Sequence, residues 1–134
     1  MMNSMQHEFN EVCKHLIKQG KRASKYERYG GCKYRTEDGL SCAVGCRIPD
    51  YMYDPEFEDR NVGELISRYK EMIPSELIEY EHMFSALQYV HDDPKSWITT
   101  KILKLRLREV AKSFDLEIPD IIKEDSNEQE SCTL

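Results

Sequence analysis

The chain predicts an α+β domain, in which a small β-hairpin or sheet packs against four to five α-helices. Three observations lead there. Between Gly30 and Tyr53, four of the six glycines and three of the five cysteines crowd together with alternating apolar residues. On either side, apolar residues recur at the three- and four-residue spacing of amphipathic helices. At 134 residues, 40% of them hydrophobic, the chain is long enough to bury one core without staples. The expected organisation is a single globular domain over residues 1–118 and an acidic, disordered tail over 119–134.

Taking the elements in order, Phe9, Val12, Cys13, Leu16 and Ile17 mark a first helix from near Ser4, closed by Gly20 at a left-handed C-cap. Cys13 lies on its buried stripe. In the glycine- and cysteine-rich stretch, a two-residue turn at Asp38-Gly39 would set Arg35 and Lys33 among apolar side chains. A three-residue loop over 37–39, with Gly39 left-handed, pairs Tyr34 with Cys42 and Cys32 with Val44 and keeps one face apolar. Gly31 and Gly45 then fall where backbones approach closely or bend. Asp54-Pro55 starts a short helical turn, and the aromatic run Tyr51, Tyr53 and Phe57 forms a lid over the hairpin. Asn61 and Glu64 make a capping box for a helix to about Glu71. After Pro74, Ser75 opens a helix to His91 with Leu77, Tyr80, Phe84 and Leu87 on its stripe. Asp93-Pro94 begins a basic helix from about Lys95 to Phe114 that buries Ile98, Ile102, Leu103, Leu107, Val110 and Phe114, with Leu105 off the stripe. The alternation over 103–108 also permits a strand.

The run Cys32-x-Tyr-Arg-x-x-Asp-Gly-x-x-Cys-Ala-Val-Gly-Cys-x-Ile-Pro-Asp-x-x-Tyr-Asp-Pro55 resembles a family of small, mostly uncharacterised bacteriophage and prophage proteins. Gly20-Lys21-Arg22, Leu87-Gln88 and His91-Asp92 fit the same pattern, and the similarity spans roughly residues 9–93. Arg47 departs from it, standing where an aliphatic residue is expected. The resemblance implies a phage setting and action inside a bacterial host. It carries no activity over to these residues.

Charge is sorted along the chain. The net charge of −6 belongs to the residues from Asp115 onward, which hold seven acidic side chains and one lysine. Residues 14–47 are mainly basic, 50–93 mainly acidic and 94–114 basic again, an order that lets opposite helices pack or keeps one face positive for a partner. No apolar run approaches the ~18 residues of a membrane span, and no signal-peptide pattern opens the chain. With an odd cysteine count, that makes reduced thiols in the cytoplasm of a bacterial host the expectation.

Four sets of residues carry candidate chemistry. Lys33, Arg35, Asp50, Tyr51, Tyr53 and Asp54 form a prospective contact surface along the exposed edge of the first hairpin strand. Lys21, Arg22, Lys25, Tyr26, Arg28 and Tyr29 mix cations with aromatic rings, as a single-stranded nucleic-acid binder does. Cys32, Cys42, Cys46 and His91 are a possible zinc set, provided that residues 43–45 turn, because along a strand Cys42 and Cys46 would lie about 13 Å apart. Cys42 with His91 as base and Asp50 as orienting group is the corresponding thiol enzyme, with Asp92 directed away from the ring. Phosphate-loop, zinc-protease and serine-hydrolase signatures are absent from the sequence. The favoured reading is a small phage-derived protein that binds a host or phage protein stoichiometrically, as a host-takeover or anti-defence inhibitor, with no cofactor, no membrane and no catalytic residue. Nucleic-acid binding and a thiol- or zinc-dependent enzyme are the alternatives. Nothing in the sequence sets the oligomeric state.

Overall fold

A computed structural model describes residues 4–24 and 33–124. Five α-helices account for most of it: α1 (Ser4–Gln19), α2 (Val62–Tyr69), α3 (Ser75–Glu79), α4 (Glu81–Asp92) and α5 (Thr100–Ser113). Helices α1, α4 and α5 meet around one core to which Phe9, Leu16, Met83, Phe84, Leu87 and Leu107 contribute fully buried side chains. Each such side chain is worth about 2–3 kcal/mol of burial. The helix ends follow local chemistry. Gly20 takes φ +71 and its N–H bonds to the Leu16 carbonyl, ending α1 where the sequence places the cap. The Asn61 side chain accepts the Glu64 N–H at the start of α2, and Thr99 accepts the Ile102 N–H at the start of α5. Asp54 and Asp93 likewise cap the 3₁₀ turns at Pro55–Phe57 and Pro94–Trp97.

The α+β expectation is overturned. The chain does reverse over 37–39 with Gly39 at φ +91, and Arg35 faces Ser41 in the expected register. That pairing is an isolated bridge, however, and among the described residues no strand, hairpin or sheet forms. The reason lies one residue further on. Cys42, Ala43, Val44 and Gly45 are all buried, a run of four that alternating strand geometry cannot bury on one face. They curl instead into a turn and a 3₁₀ helix at Gly45–Arg47, with Cys46 N–H bonded to the Cys42 carbonyl. Gly45 lies face-on against Tyr34, where an added Cβ would stand 2.0 Å from the Tyr34 carbonyl oxygen. Arg47 is accommodated by Glu8 of α1, whose carboxylate takes two of its N–H groups at 2.9 and 3.0 Å.

Two of the expected helices also change. The helix expected over 75–91 breaks at Tyr80 (φ −110, ψ 35) into α3 and α4. The basic helix starts only at Thr100, because Thr99 is extended, so Ile98 is 69% exposed and not on the buried side. Residues 103–108 lie within α5, which excludes the strand alternative for them. Residues 119–124 continue the body: Ile122 is fully buried, its carbonyl accepts an N–H from Arg108, and a 3₁₀ turn spans Asp120–Ile122. Only 125–134 of the expected tail lies outside the described residues.

Candidate functional site

Arg35 organises the surface that the sequence singles out. Its guanidinium donates to Asp50 Oδ1 at 2.7 Å and to the Ile48 carbonyl at 2.5 Å, and it stacks over the Tyr53 ring with 4.6 Å to the centroid. Glu58 holds this group from below. Its carboxylate accepts the Tyr34 N–H at 2.9 Å, the Arg35 N–H at 3.2 Å and the Tyr53 hydroxyl at 2.5 Å. Burial, and then that bond to Glu58, raise the Tyr53 phenol above the usual tyrosine range. Among the described residues, the free strand edge expected over 31–35 is absent. Lys33 N–H goes to the Ala23 carbonyl, Thr36 N–H to Leu40, and the two between them to Glu58. No backbone donor from 33 to 36 is left to pair with an added strand.

What this scaffold presents is Tyr51. It is 83% exposed, in a turn whose neighbours are locked by the bonds of Arg35 and by the Met52 and Tyr53 N–H groups on the Pro49 carbonyl. Of the six residues predicted as contact surface, Arg35, Asp50 and Tyr53 touch directly and Tyr51 adjoins them. Asp54 spends its side chain on the Glu56 N–H. Lys33 lies apart, lining a cleft of about 380 Å³ with Arg60, Asn61, Glu81 and Tyr89.

On its other side Arg35 lines an open cleft of about 640 Å³, together with His15, Ser41, Cys46 and Asp50. His15 Nε2 lies 3.1 Å from Ser41 Oγ, a spacing that resembles an activated hydroxyl. The Ser41 carbonyl, 2.8 Å from the same nitrogen, requires that nitrogen to carry the proton. The imidazole therefore donates, and Ser41 gains no base. Burial holds the His15 side chain below the usual histidine range, against the opposing effect of that carbonyl.

The thiol and zinc candidates are occupied elsewhere. The turn at 43–45 that zinc would require is present, but Cys42 Sγ accepts the Gly45 N–H and Cys46 Sγ donates to the Ala43 carbonyl, both at 3.2 Å. Burial pushes the Cys46 thiol up to about 12, and it raises Cys42 and Cys13 further. Such thiols are not nucleophilic near neutrality. His91 is fully buried and both its ring nitrogens are in use, Nδ1 with Asp92 at 2.8 Å and Nε2 with the Ala23 N–H at 2.9 Å. The orienting carboxylate is thus Asp92 and not Asp50, since at the last turn of α4 the Asp92 side chain folds back on the ring. Among the described residues no three His, Cys, Asp or Glu side chains converge on a metal position. Cys32 lies outside those residues, so the complete zinc set is not in view.

The basic and aromatic segment is described only at its start. Lys21 is exposed, while Arg22 donates to the Asp92 carbonyl at 2.9 Å. Lys25, Tyr26, Arg28 and Tyr29 lie outside the described residues. No helix among the described residues is long and apolar enough to cross a membrane.

Two residues that matter here carry no signal in the sequence, and a third carries one. Glu58 is one carboxylate in an acidic run, with nothing local to set it apart. Gln88 looks like a surface residue yet accepts the Val44 N–H at 3.2 Å. Tyr89, 71% exposed and lining two clefts, was recoverable, because it falls opposite the apolar stripe of its helix. Comparison with family models, curated proteins and solved structures finds no match for this chain.

Proposed function

We propose that this protein acts by stoichiometric binding to another protein through the surface around Tyr51. The observation that carries the reading is an aromatic ring 83% exposed on a segment whose own hydrogen bonds are already made. An exposed tyrosine supplies a large amphipathic contact with only two side-chain torsions to fix, which is why such residues dominate binding energy at interfaces. The Arg35, Asp50, Tyr53 and Glu58 network supports the reading from beneath, since a surface ordered before contact loses little entropy on binding. The resemblance to phage proteins makes a host or phage protein the partner, in the cytoplasm of a bacterial host, with takeover or blockade of a defence as the purpose.

The test is capture from host lysate on immobilised protein, comparing the unaltered chain with Tyr51→Ala. The side chain touches little of its own fold, so the variant keeps its circular dichroism and melting temperature. The expected result is one partner recovered near equimolar by the unaltered chain and at least about tenfold less by the variant, the effect of about 1.4 kcal/mol. Equal recovery by both, or no equimolar partner for either, overturns the reading.

A further inference from the structure

Lys33 and Glu81 line one cleft with opposite charges and do not meet. The cleft, of about 380 Å³, lies between α4 and the start of α2, and both residues are half-buried in its wall. Among the described residues neither side chain has an ion-pair or hydrogen-bond partner. Half-buried charges lose part of their hydration, and elsewhere in this chain they recover it by pairing: Arg35 with Asp50, Arg47 with Glu8 and Arg106 with Asp93. Lys33 and Glu81 are held apart across an open space instead.

Arg60 extends the positive side of this cleft. Its Nε donates to the Glu56 carbonyl at 3.0 Å and its guanidinium lies 5.5 Å from the Tyr69 ring, which fixes the group while its terminal nitrogens keep no bond among the described residues. The negative side is α4, where Glu81, Ser85, Gln88 and Asp92 follow one another along a single helical stripe. Asp92 Oδ1 is engaged, 2.8 Å from both the Gln88 amide nitrogen and His91 Nδ1, so Glu81 is the carboxylate left to a ligand. Both walls are set before anything binds. The Tyr34 hydroxyl donates to the Arg60 carbonyl at 2.6 Å, and the Gln88 side chain accepts the Val44 N–H at 3.2 Å.

We infer that this cleft binds a small zwitterion, a free α-amino acid with an apolar or aromatic side chain. An anion alone would meet Glu81 and Asp92, and a cation alone would meet Lys33 and Arg60. A molecule that carries both signs satisfies both walls at once. Its carboxylate goes to Lys33 and Arg60 and its ammonium to Glu81, with the Ser85 hydroxyl on the same stripe. Tyr89, 71% exposed in the same lining, offers a ring to the ligand's side chain. The volume falls at the lower end of small-molecule sites, about 300–1,000 Å³, which suits a ligand of this size. No residue of the Tyr51 surface lines the cleft, so the two sites stand or fall separately.

The test is an amide-shift titration of the full ¹⁵N-labelled chain with L-phenylalanine, L-leucine and L-methionine, each beside its N-acetyl acid and its amide. At least one of the three is expected to saturate shifts at Gly63, Ser85 and Tyr89 with a Kd at or below about 1 mM. Blocking either charge of that ligand is expected to weaken binding at least about tenfold. Lys33→Ala and Glu81→Ala are each expected to weaken the free amino acid by a similar factor, while Glu81→Ala leaves the affinity of the N-acetyl acid unchanged. Neither side chain bonds to its own fold among the described residues, so both variants keep their melting temperature; where one does not, the blocked ligands on the unaltered chain decide alone. No saturation at those amides by about 10 mM, blocked forms that bind as tightly as the free amino acid, or folded variants that bind as tightly as the unaltered chain each overturns the site.

Discussion

The helices and the stretch from Lys33 to Arg60 solve the same problem in opposite ways. In α1, α4 and α5 the backbone pairs with itself, and side chains are left to pack. Between Lys33 and Arg60 the backbone bonds to itself only in short turns, and the groups between those turns are held by side chains reaching in from elsewhere. Gln19 bonds both the N–H and the carbonyl of Ser41, and His15 reaches the same carbonyl. Gln88 takes the Val44 N–H, Glu58 takes those of Tyr34 and Arg35, and the Tyr34 hydroxyl donates to the Arg60 carbonyl at 2.6 Å. A helix spreads its stability over many equivalent bonds, whereas this segment concentrates it in a handful of residues. The segment that presents Tyr51 is therefore the one a single substitution can undo.

The largest expected effect comes where two turns of the Lys33–Arg60 stretch are pressed together, backbone against backbone. Gly45→Ala would put a methyl 2.0 Å from the Tyr34 carbonyl oxygen and 2.7 Å from its carbon, both backbone atoms that cannot swing aside. The cost is expected to exceed about 3 kcal/mol, beyond the ordinary range for a point substitution, and chemical denaturation measures it. A change under about 1 kcal/mol would mean that the segment does not lie face-on against Tyr34.

Next in size is Glu58→Ala. It leaves the Tyr34 and Arg35 N–H groups and the Tyr53 hydroxyl without their acceptor, at roughly 2–3 kcal/mol after partial solvation. Hydrogen exchange should accelerate across 33–53 and stay unchanged in α5. Uniform acceleration throughout would break the contrast between the two regions, because the segment would then unfold only with the helices.

The smallest change sharpens the helical side. The Leu116 N–H bonds to the Ala111 carbonyl and the Asp115 N–H to that of Lys112, the double closure of a Schellman end, and Asp115 sits at its left-handed position with φ +55. Asp115→Gly relieves the Cβ clash there and is expected to stabilise the protein by about 0.5–1 kcal/mol, seen as a higher melting temperature. Destabilisation would show that the Asp115 side chain has a role in the closure.

Acid should act on the Lys33–Arg60 stretch before the helices. Burial keeps the His15 side chain below its unfolded value, so the unfolded chain binds a proton that the folded one refuses. Stability is full above the unfolded histidine range and declines as pH falls from there toward the lowered folded value. The bond to Ser41 is among those that secure the segment, so its exchange should respond first.

How much was legible depends on the reach of each signal. Gly20, Asp54, Asn61 and Asp93 declare their caps because a cap is decided within four residues. The stripe through Phe9, Val12 and Leu16 declares its helix for the same reason. Tyr80 gives no comparable warning, since it sits on the apolar stripe and breaks the helix through its backbone alone. Cys42 to Gly45 mislead: small apolar residues at alternate positions look like a strand, but all four are buried together. Arg47 looks out of place until Glu8 is found beside it on α1.

By itself, then, the amino-acid order determined what is local: the helical segments, most of their caps, and the left-handed glycines at 20 and 39. Only the tertiary structure decided that the cysteine-rich stretch curls where a hairpin was expected, and that Glu58, Gln88, Gln19 and His15 hold it in place. A buried backbone N–H must find an acceptor, and when the chain supplies one from twenty to seventy residues away, no local pattern records it.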